Sequence, residues 1–173
     1  MRFFAAPIQD WGIWEGSKRK EAKVKFKFDD GGRADAGFKG SAGDCVTRAI
    51  AIAMRLDYRE VYNDLNAANA EFAKGRSRKA RSVAKKGPTP RNGVHKEVYK
   101  PYLEKEGWVW TPTMRVGSGC TVHLKADELP EGRLIVSVSK HLTAVVDGVV
   151  HDTYNPSRDG TRCVYGYWQE GDV

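Results

Sequence analysis

The segment that decides the fold reads GDCVTRAIAIAMR and spans residues 43–55. At 3.6 residues per turn, Thr47 and Arg48 fall within one narrow stripe, and most other positions are apolar. We therefore predict a helix that is buried almost all round, with Asp44 as its N-cap. Cys45 lies in the first turn of this helix, where unpaired backbone N–H groups and the helix dipole favour a thiolate.

The Cys45 thiol has a structural and a catalytic interpretation. It can be a small buried hydrophobe behind a capping aspartate, since free cysteine is among the most buried residue types. As a nucleophile it needs a protonated histidine, because the Asp44 carboxylate opposes the thiolate and the helix dipole alone does not suffice. The candidates are the four histidines of the sequence, His95, His123, His141 and His151.

The run VVDGVV at residues 145–150 predicts a hairpin, because Asp-Gly supplies the positive φ angles of a type I′ turn. Pairing outward from this turn makes His141 and Asp152 diagonal neighbours on one face. His151 and Asn155 fall on the other face. A buried, ionised Asp152 needs a partner, and His141 is the available imidazole. We predict His141 as the base and Asp152 as its orienting acid; an ordinary strand-start histidine is the alternative.

Two more helices and several short strands complete the predicted architecture. An Asp57–Glu60 capping box opens a helix that ends near Gly75, and residues 94–107 are helical with a kink or restart at Pro101. Apolar alternation and β-branched or aromatic runs predict strands at residues 23–28, 108–110, 119–124, 134–139, 142–146, 149–154 and 162–168. Helices followed by antiparallel strands indicate an α+β fold.

The chain length predicts a single domain over residues 1–173, since single cores commonly span about 100 to 200 residues. Residues 1–40 form an N-terminal extension that includes the first predicted strand. In that strand, lysines alternate with Val24, Phe26 and Phe28. We therefore expect a half-buried edge strand with these three side chains on the core face.

Positive charge is concentrated in one segment. Residues 74–91 carry eight Lys or Arg and no acid, whereas the whole chain has a net charge of +7. Because the segment has Gly and Pro and no regular period, we predict a mobile basic loop over residues 74–93. It is either a solvated loop or a site for an anionic partner such as nucleic acid. The contacting residues would be Arg76, Arg78, Lys79, Arg81, Lys85 and Lys86.

The composition excludes several classes of protein. With 40% apolar residues and five Trp, the chain is not wholly disordered. The longest apolar run, residues 49–54, has six residues, against the roughly 20 that a membrane-spanning helix needs. The apolar patch near the N terminus is too short for a signal peptide. We expect a cytoplasmic protein with no membrane partner.

The three cysteines, Cys45, Cys120 and Cys163, cannot all pair, and we expect free thiols. Cys120 and His123 have zinc-like spacing, but in an alternating strand a three-residue offset puts them on opposite faces. No second pair of Cys or His residues completes a metal site. We therefore predict no metal and no other cofactor.

Cys45 at the start of a buried helix, followed by SKHLTAVVDGVVHDTYNPSRDG at residues 139–160, resembles the papain-like cysteine peptidase superfamily. The similarity is to its compact bacterial branch, which includes the bacteriocin-leader peptidases, and to uncharacterised phage and prophage proteins. The resemblance implies a papain-like fold, with N-terminal helices packed on a C-terminal antiparallel sheet. It implies Cys45 as nucleophile, His141 as base and Asp152 as orienting acid.

The resemblance also implies an oxyanion hole made by the Cys45 backbone N–H and a side chain just upstream. Papain-like peptidases usually have a Gln there, but residues 38–45, FKGSAGDC, contain none. Lys39, Ser41 or the distant Gln9 would have to substitute, and loss of one such donor costs about 10²- to 10³-fold in rate. Asn155 is an auxiliary candidate as orienting residue if the strand is bulged or ends early.

These residues support two hypotheses from different classes. The first is a thiol hydrolase, a peptidase or isopeptidase that acts through a thioester, with the basic segment as a lid or a guide for acidic substrates. Amidase and transglutaminase chemistry use the same triad. The second is a weak or inactive papain-like binding module that engages nucleic acid or an acidic partner through the basic segment.

Overall fold

The structure is a computed structural model that describes residues 24–171. In this range four helices form, α1 (Cys45–Met54), α2 (Tyr58–Ala73), α3 (Arg78–Lys86) and α4 (Lys96–Lys105), with a 3-10 turn at Pro90–Asn92. Six strands form, β1 (Lys25–Phe28), β2 (Trp108–Pro112), β3 (Arg133–Val138), β4 (His141–Val146), β5 (Val149–Asp152) and β6 (Val164–Glu170). The predicted α+β class is confirmed. None of the helices in the described range is both long and apolar enough to cross a bilayer.

The six strands make one sheet in the order β1-β5-β4-β3-β6-β2. Neighbours from β5 to β2 pair antiparallel, as predicted, whereas β1 joins β5 in parallel at the edge. The Asp-Gly hairpin has the predicted register, with Ala144 opposite His151. Asp147 and Gly148 have φ angles of 48° and 73°, and positive values at both positions are what a type I′ turn requires.

Helix α1 packs on one face of this sheet. Every residue of α1 from Val46 to Ala53 is buried, which confirms the predicted burial almost all round. Ile50 is fully buried in a cluster that includes Ile135 of β3 and Trp168 of β6. Alternate residues of the same strands, such as Val136, pack in a second cluster on the other face. The sheet therefore holds α1 rigidly, and with it the position of Cys45.

Two predicted elements differ in detail from the structure. Strand β1 is at the edge, but Phe26 and Phe28 are 38% and 67% exposed, so only Val24 of the predicted apolar face is buried. Pairing with a single strand leaves β1 beyond the part of the sheet that α1 covers. Helix α4 runs through Pro101 without interruption, so the expected restart there is wrong.

The basic segment at residues 74–93 is not the irregular loop that the sequence predicted. It contains α3 and the 3-10 turn, and the Ser77 hydroxyl caps α3 by accepting a hydrogen bond of 3.0 Å from the Ala80 N–H. Ala80 and Val83 are the buried residues of α3. The prediction failed because only two apolar residues of the segment, Ala80 and Val83, show helical spacing. Lys and Arg are themselves good helix formers, so the basic residues do not prevent a helix.

The prediction of three free thiols is wrong for two of them. Cys120 and Cys163 form a disulfide, and Cys45 is free. The predicted strand at residues 119–124 is reduced to a single bridge between His123 and Cys163. This bridge brings the segment alongside the start of β6, which pairs two cysteines that are 43 residues apart in sequence. An odd cysteine count excludes complete pairing, but it does not exclude one pair.

Candidate active site

Cys45 lies where α1 begins, on a turn that is tied to a distant part of the chain. The backbone N–H of Gly43 donates a hydrogen bond of 2.8 Å to the carbonyl of Arg91. The Cys45 side chain is half-buried. Its backbone N–H is among the first-turn donors that have no acceptor inside the helix. The thiol and an available N–H donor therefore lie at the same point.

His141 begins β4 and Asp152 ends β5, and the two residues are diagonal neighbours on one face of the sheet. The His141 Nε2 to Asp152 Oδ2 distance is 2.7 Å, and both residues are buried. The Thr153 N–H donates a hydrogen bond of 2.7 Å to Asp152 Oδ1, which fixes the carboxylate. Because Nε2 is bonded to Asp152, Nδ1 is the ring nitrogen left for Cys45. The diagonal pairing predicted from the hairpin parity is present in the structure.

The titration behaviour of Cys45 and His141 is coupled. Burial raises the pKa of the Cys45 thiol, but the His141 hydrogen bond, the Leu142 backbone N–H and the charges of His141 and Arg48 bring it below its ordinary 9.0. Burial lowers the pKa of the His141 imidazole, but hydrogen bonds to Asp152 and Cys45 and their charges raise it to about 9. Both shifts favour the charged forms of the pair, a thiolate beside an imidazolium.

A second buried ionic cluster lies behind the first turn of α1. The Asp44 carboxylate accepts hydrogen bonds from Arg48 and from the Tyr58 hydroxyl, the latter at 2.6 Å. Arg33 Nε approaches Asp44 Oδ2 at 3.0 Å. Arg48 also reaches Asp152 Oδ1 at 3.3 Å, so one buried guanidinium bridges two carboxylates. This cluster joins α1, α2 and the triad.

Asp44 occupies the predicted N-cap position of α1, but its carboxylate has a different role there. Its side chain makes no capping hydrogen bond to α1, because Arg48 and Tyr58 engage both of its oxygens. Its charge is paired, and the charges that act on the Cys45 thiol are those of His141 and Arg48, both of which lower its pKa. The sequence signal for this cluster was available: Arg48 is a charged residue on a helix that is otherwise buried.

A cleft of about 1060 Å³ opens over the thiol, and Cys45 and His141 both line it. Its apolar lining includes Val46 of α1, Tyr99 of α4, Leu142 of β4 and Tyr165 of β6, together with Val94, Val138 and Tyr154. The Tyr154 ring lies against the imidazole of His141, with centroids 5.1 Å apart. Sequence reasoning missed Tyr99 and Tyr165, because each is one apolar residue in an ordinary helix or strand pattern.

The auxiliary residues predicted for the oxyanion hole do not meet in the cleft. Lys39 and Ser41 are exposed and neither lines it; Lys39 offers its backbone carbonyl to Arg91 at 2.7 Å. Gln9 lies outside the described residues. The Asn155 side chain accepts a hydrogen bond of 3.0 Å from the Ser157 N–H, in a depression beside His141. Asp152, and not Asn155, bonds to the imidazole.

The other histidines have separate surroundings. His151 lies on the opposite face from His141, as predicted, and its Nδ1 is 2.9 Å from Asp29 Oδ2. His123 Nδ1 is 3.1 Å from Glu128 Oε2. His95 precedes α4 and lines the cleft, but makes no side-chain cap.

The predicted basic contacts divide into two groups. Lys79 and Lys86 line the cleft, and Lys79 Nζ lies 2.5 Å from Glu97 Oε1. The other four are exposed and lie outside the cleft lining: Arg76, Arg78, Arg81 and Lys85. The cleft adds Lys96 and Lys140, which the sequence did not single out.

Within residues 24–171, no group of three or more His, Cys, Asp or Glu side chains is arranged to hold a metal ion. The zinc-like Cys120 and His123 pair is not a ligand pair, because Cys120 is in a disulfide. Comparison of the chain with protein-family models, curated proteins and solved structures finds no match. The functional argument therefore rests on the geometry of the site.

Proposed function

We propose that this protein is a papain-like cysteine hydrolase that cleaves peptide or isopeptide bonds through a thioester. The observation that supports the proposal best is the convergence of a half-buried thiol, an imidazole and a carboxylate from α1, β4 and β5. The thiol has a lowered pKa and the imidazole a raised one, which is how a cysteine nucleophile is prepared.

The reaction would proceed in two steps. The Cys45 thiolate attacks the carbonyl carbon, the C–N bond breaks, and the amine leaves with the proton that His141 gives up. The thioester is then hydrolysed by a water molecule whose proton passes to His141, which releases the acid and restores the thiolate–imidazolium pair. Asp152 holds the imidazole in the orientation that both proton transfers need.

Oxyanion stabilisation is the weaker part of this machinery. The Cys45 backbone N–H is one donor, and neither Lys39 nor Ser41 lines the cleft to supply a second. Because one missing donor costs about 10²- to 10³-fold in rate, we expect a slow enzyme.

The test is digestion of a defined library of synthetic peptides, followed by mass spectrometry. Wild-type protein should cleave a subset of the peptides, and Cys45→Ala and His141→Ala should cleave none. A cooperative thermal unfolding transition in each variant would show that both are folded. Absence of any cleavage by the wild type, or cleavage that persists in Cys45→Ala, would contradict the proposal.

A second candidate function is a catalytically weak or inactive binding module for nucleic acid or an acidic partner. The observation in its favour is the exposed outer side of the basic segment, which presents Arg76, Arg78, Arg81 and Lys85. Counterion release would make such binding strongly salt-dependent. Retention on immobilised DNA that falls with salt and is lost in Arg76→Glu/Arg81→Glu would support it.

A further inference from the structure

We propose that the cleft selects acidic peptides, with Asp or Glu side chains flanking the bond that Cys45 attacks. This inference rests on the proposed function and names its substrate class. The described residues that line the cleft include five Lys or Arg, namely Arg48, Lys79, Lys86, Lys96 and Lys140, and no Asp or Glu. The cleft is therefore a concave surface of one charge sign, which concentrates its field on a bound ligand.

The lysines come from both walls of the cleft. Lys79 and Lys86 are seven residues apart on α3 and so share one face of that helix. Lys96 begins α4, and its ammonium lies 4.6 Å from the centroid of the Trp110 ring. Lys140 is in the tight turn before His141, on the sheet side. A peptide across Cys45 would meet positive charge on each side of its scissile bond.

Most of this charge is available to a ligand. Among residues 24–171, Lys86 and Lys140 have no ion-pair partner. Lys79 pairs with Glu97, but both side chains are about half exposed, and an exposed pair is readily exchanged for a better acceptor. Arg48 is the exception, because Asp44 and Asp152 already engage it. The substrate-facing cations are thus the four lysines.

The chemistry of the site favours a peptide over a nucleic acid. A thiolate acts on acyl carbons, which peptides supply and nucleic acids do not. The cleft also has an apolar lining that includes Val46, Tyr99 and Leu142, which suits a peptide side chain between flanking acids. The outer side of the basic segment contains no aromatic residue on which bases would stack.

The test compares two alkylating reagents that differ in charge. Iodoacetate is an anion and iodoacetamide is neutral, and both react with the same Cys45 thiolate. The ratio of their rates therefore reports the potential in the cleft and not the thiol pKa. We expect Lys79→Glu/Lys86→Glu to lower the iodoacetate to iodoacetamide ratio about threefold to tenfold at low salt, an effect that added salt weakens. A ratio equal to that of the wild type would overturn the inference.

A matched control carries the same change of charge outside the cleft. Lys25→Glu/Lys27→Glu reverses two exposed lysines of β1 and should leave the ratio near its wild-type value. An equal fall in this control would mean that net charge, and not the cleft, sets the ratio. If Cys45 reacts slowly with both reagents at neutral pH, the proposed function fails; if it reacts rapidly but the ratio is insensitive to Lys79 and Lys86, only the substrate class fails.

Ligand protection separates the two macromolecular classes. A poly-glutamate peptide should slow alkylation of Cys45 by iodoacetamide in the wild type and less so in Lys79→Glu/Lys86→Glu. A single-stranded oligonucleotide of similar charge serves as the competing probe. Protection by the oligonucleotide without protection by the peptide would overturn the acidic-peptide inference.

Discussion

Two buried ionic clusters flank the first turn of α1, and they differ in what surrounds them. The first, Cys45 with His141, opens into the cleft. The second is centred on the fully buried Asp44 carboxylate, which pairs with Arg33, Arg48 and Tyr58, and only Arg48 of this cluster lines the cleft. A charged pair that faces a cleft can exchange protons with a substrate, whereas a fully buried carboxylate contributes through the contacts that it holds in place.

Asp152 connects the two clusters, because each of its oxygens serves one of them. Oδ2 accepts from His141 at 2.7 Å, and Oδ1 faces Arg48 at 3.3 Å. Asp152 therefore links the cluster that contains Cys45 and His141 to the cluster that contains Asp44 and Arg48. This division predicts that substitutions in the first cluster affect reactivity, that those in the second affect stability, and that Asp152 affects both.

The largest effect is expected for Asp152→Asn. The amide cannot stabilise the His141 imidazolium, so we expect a loss of about 10⁴-fold in turnover of a peptide that the wild type cleaves. Steady-state kinetics would measure it. The control is Asp29→Asn, the same change at the second histidine–aspartate pair, where His151 is the partner at 2.9 Å. If the two variants lose activity equally, the pairing of His141 with Asp152 has no special role.

Next in size is the effect of Asp44→Asn on stability. The change leaves the buried Arg48 guanidinium with a weaker partner, and breaking a buried pair in this way costs about 3–5 kcal/mol. Urea unfolding would measure the loss. The pH profile of Cys45 alkylation should stay close to that of the wild type. A large shift of that profile with little loss of stability would contradict the assignment of Asp44 to stability and not to thiol reactivity.

Tyr58→Phe should have a smaller effect of the same kind. It removes the 2.6 Å hydrogen bond that the Tyr58 hydroxyl donates to Asp44 and keeps the buried ring. Hydrogen bonds to charged groups contribute about 1.5–3 kcal/mol to stability, which thermal or urea unfolding would detect. Peptide cleavage should be unchanged, and a large loss of cleavage in a stable variant would contradict a purely structural role.

The smallest effect concerns the pH dependence of stability. His141 has a folded pKa of about 9 against an ordinary 6.5, so its contribution is complete below pH 6.5 and is lost as pH rises through about 9. Cys45 has a lowered pKa, so its contribution is present above its ordinary 9.0 and is lost as pH falls through the folded value. Between pH 6.5 and 9 the His141 contribution to stability decreases as pH rises, and the Cys45 contribution opposes this decrease.

Removing the thiol should therefore leave the pH dependence of stability that His141 causes. In Cys45→Ala only Asp152 still raises the pKa of His141, so we expect this variant to lose stability on the order of 1 kcal/mol as pH rises above 6.5, while the wild type changes less. Urea unfolding at several pH values would measure both. Parallel curves for the two proteins would show that Cys45 and His141 do not titrate as a pair.

The hairpin and the helix were predictable because local rules decide them. Asp147-Gly148 sets the turn type, and the strand period of two then puts His141 and Asp152 on one face. The apolar run after Cys45 similarly predicts a buried helix. Each of these signals is contained in a stretch of about a dozen residues, so no long-range contact is needed to interpret it.

The rest depended on contacts between distant residues. The pairing of Asp44 with Tyr58 and Arg33 requires the packing of α1 on α2, and the Cys120–Cys163 bond requires the alignment of segments 43 residues apart. Lys79 and Lys86 line the cleft because α3 packs on the protein through Ala80 and Val83, which lie beside them on the helix surface. Composition identified that segment as basic, but it could not indicate a helix with one face toward the thiol.

The most direct test of the central claim is the pH dependence of Cys45 alkylation by iodoacetamide, measured in wild-type protein and in His141→Ala. The account predicts a reactive-thiol pKa well below 9.0 in the wild type, because the imidazolium stabilises the thiolate, and a pKa that rises when His141 is removed. A pKa at or above about 8.5 that does not respond to His141 would contradict it and identify Cys45 as a structural cysteine.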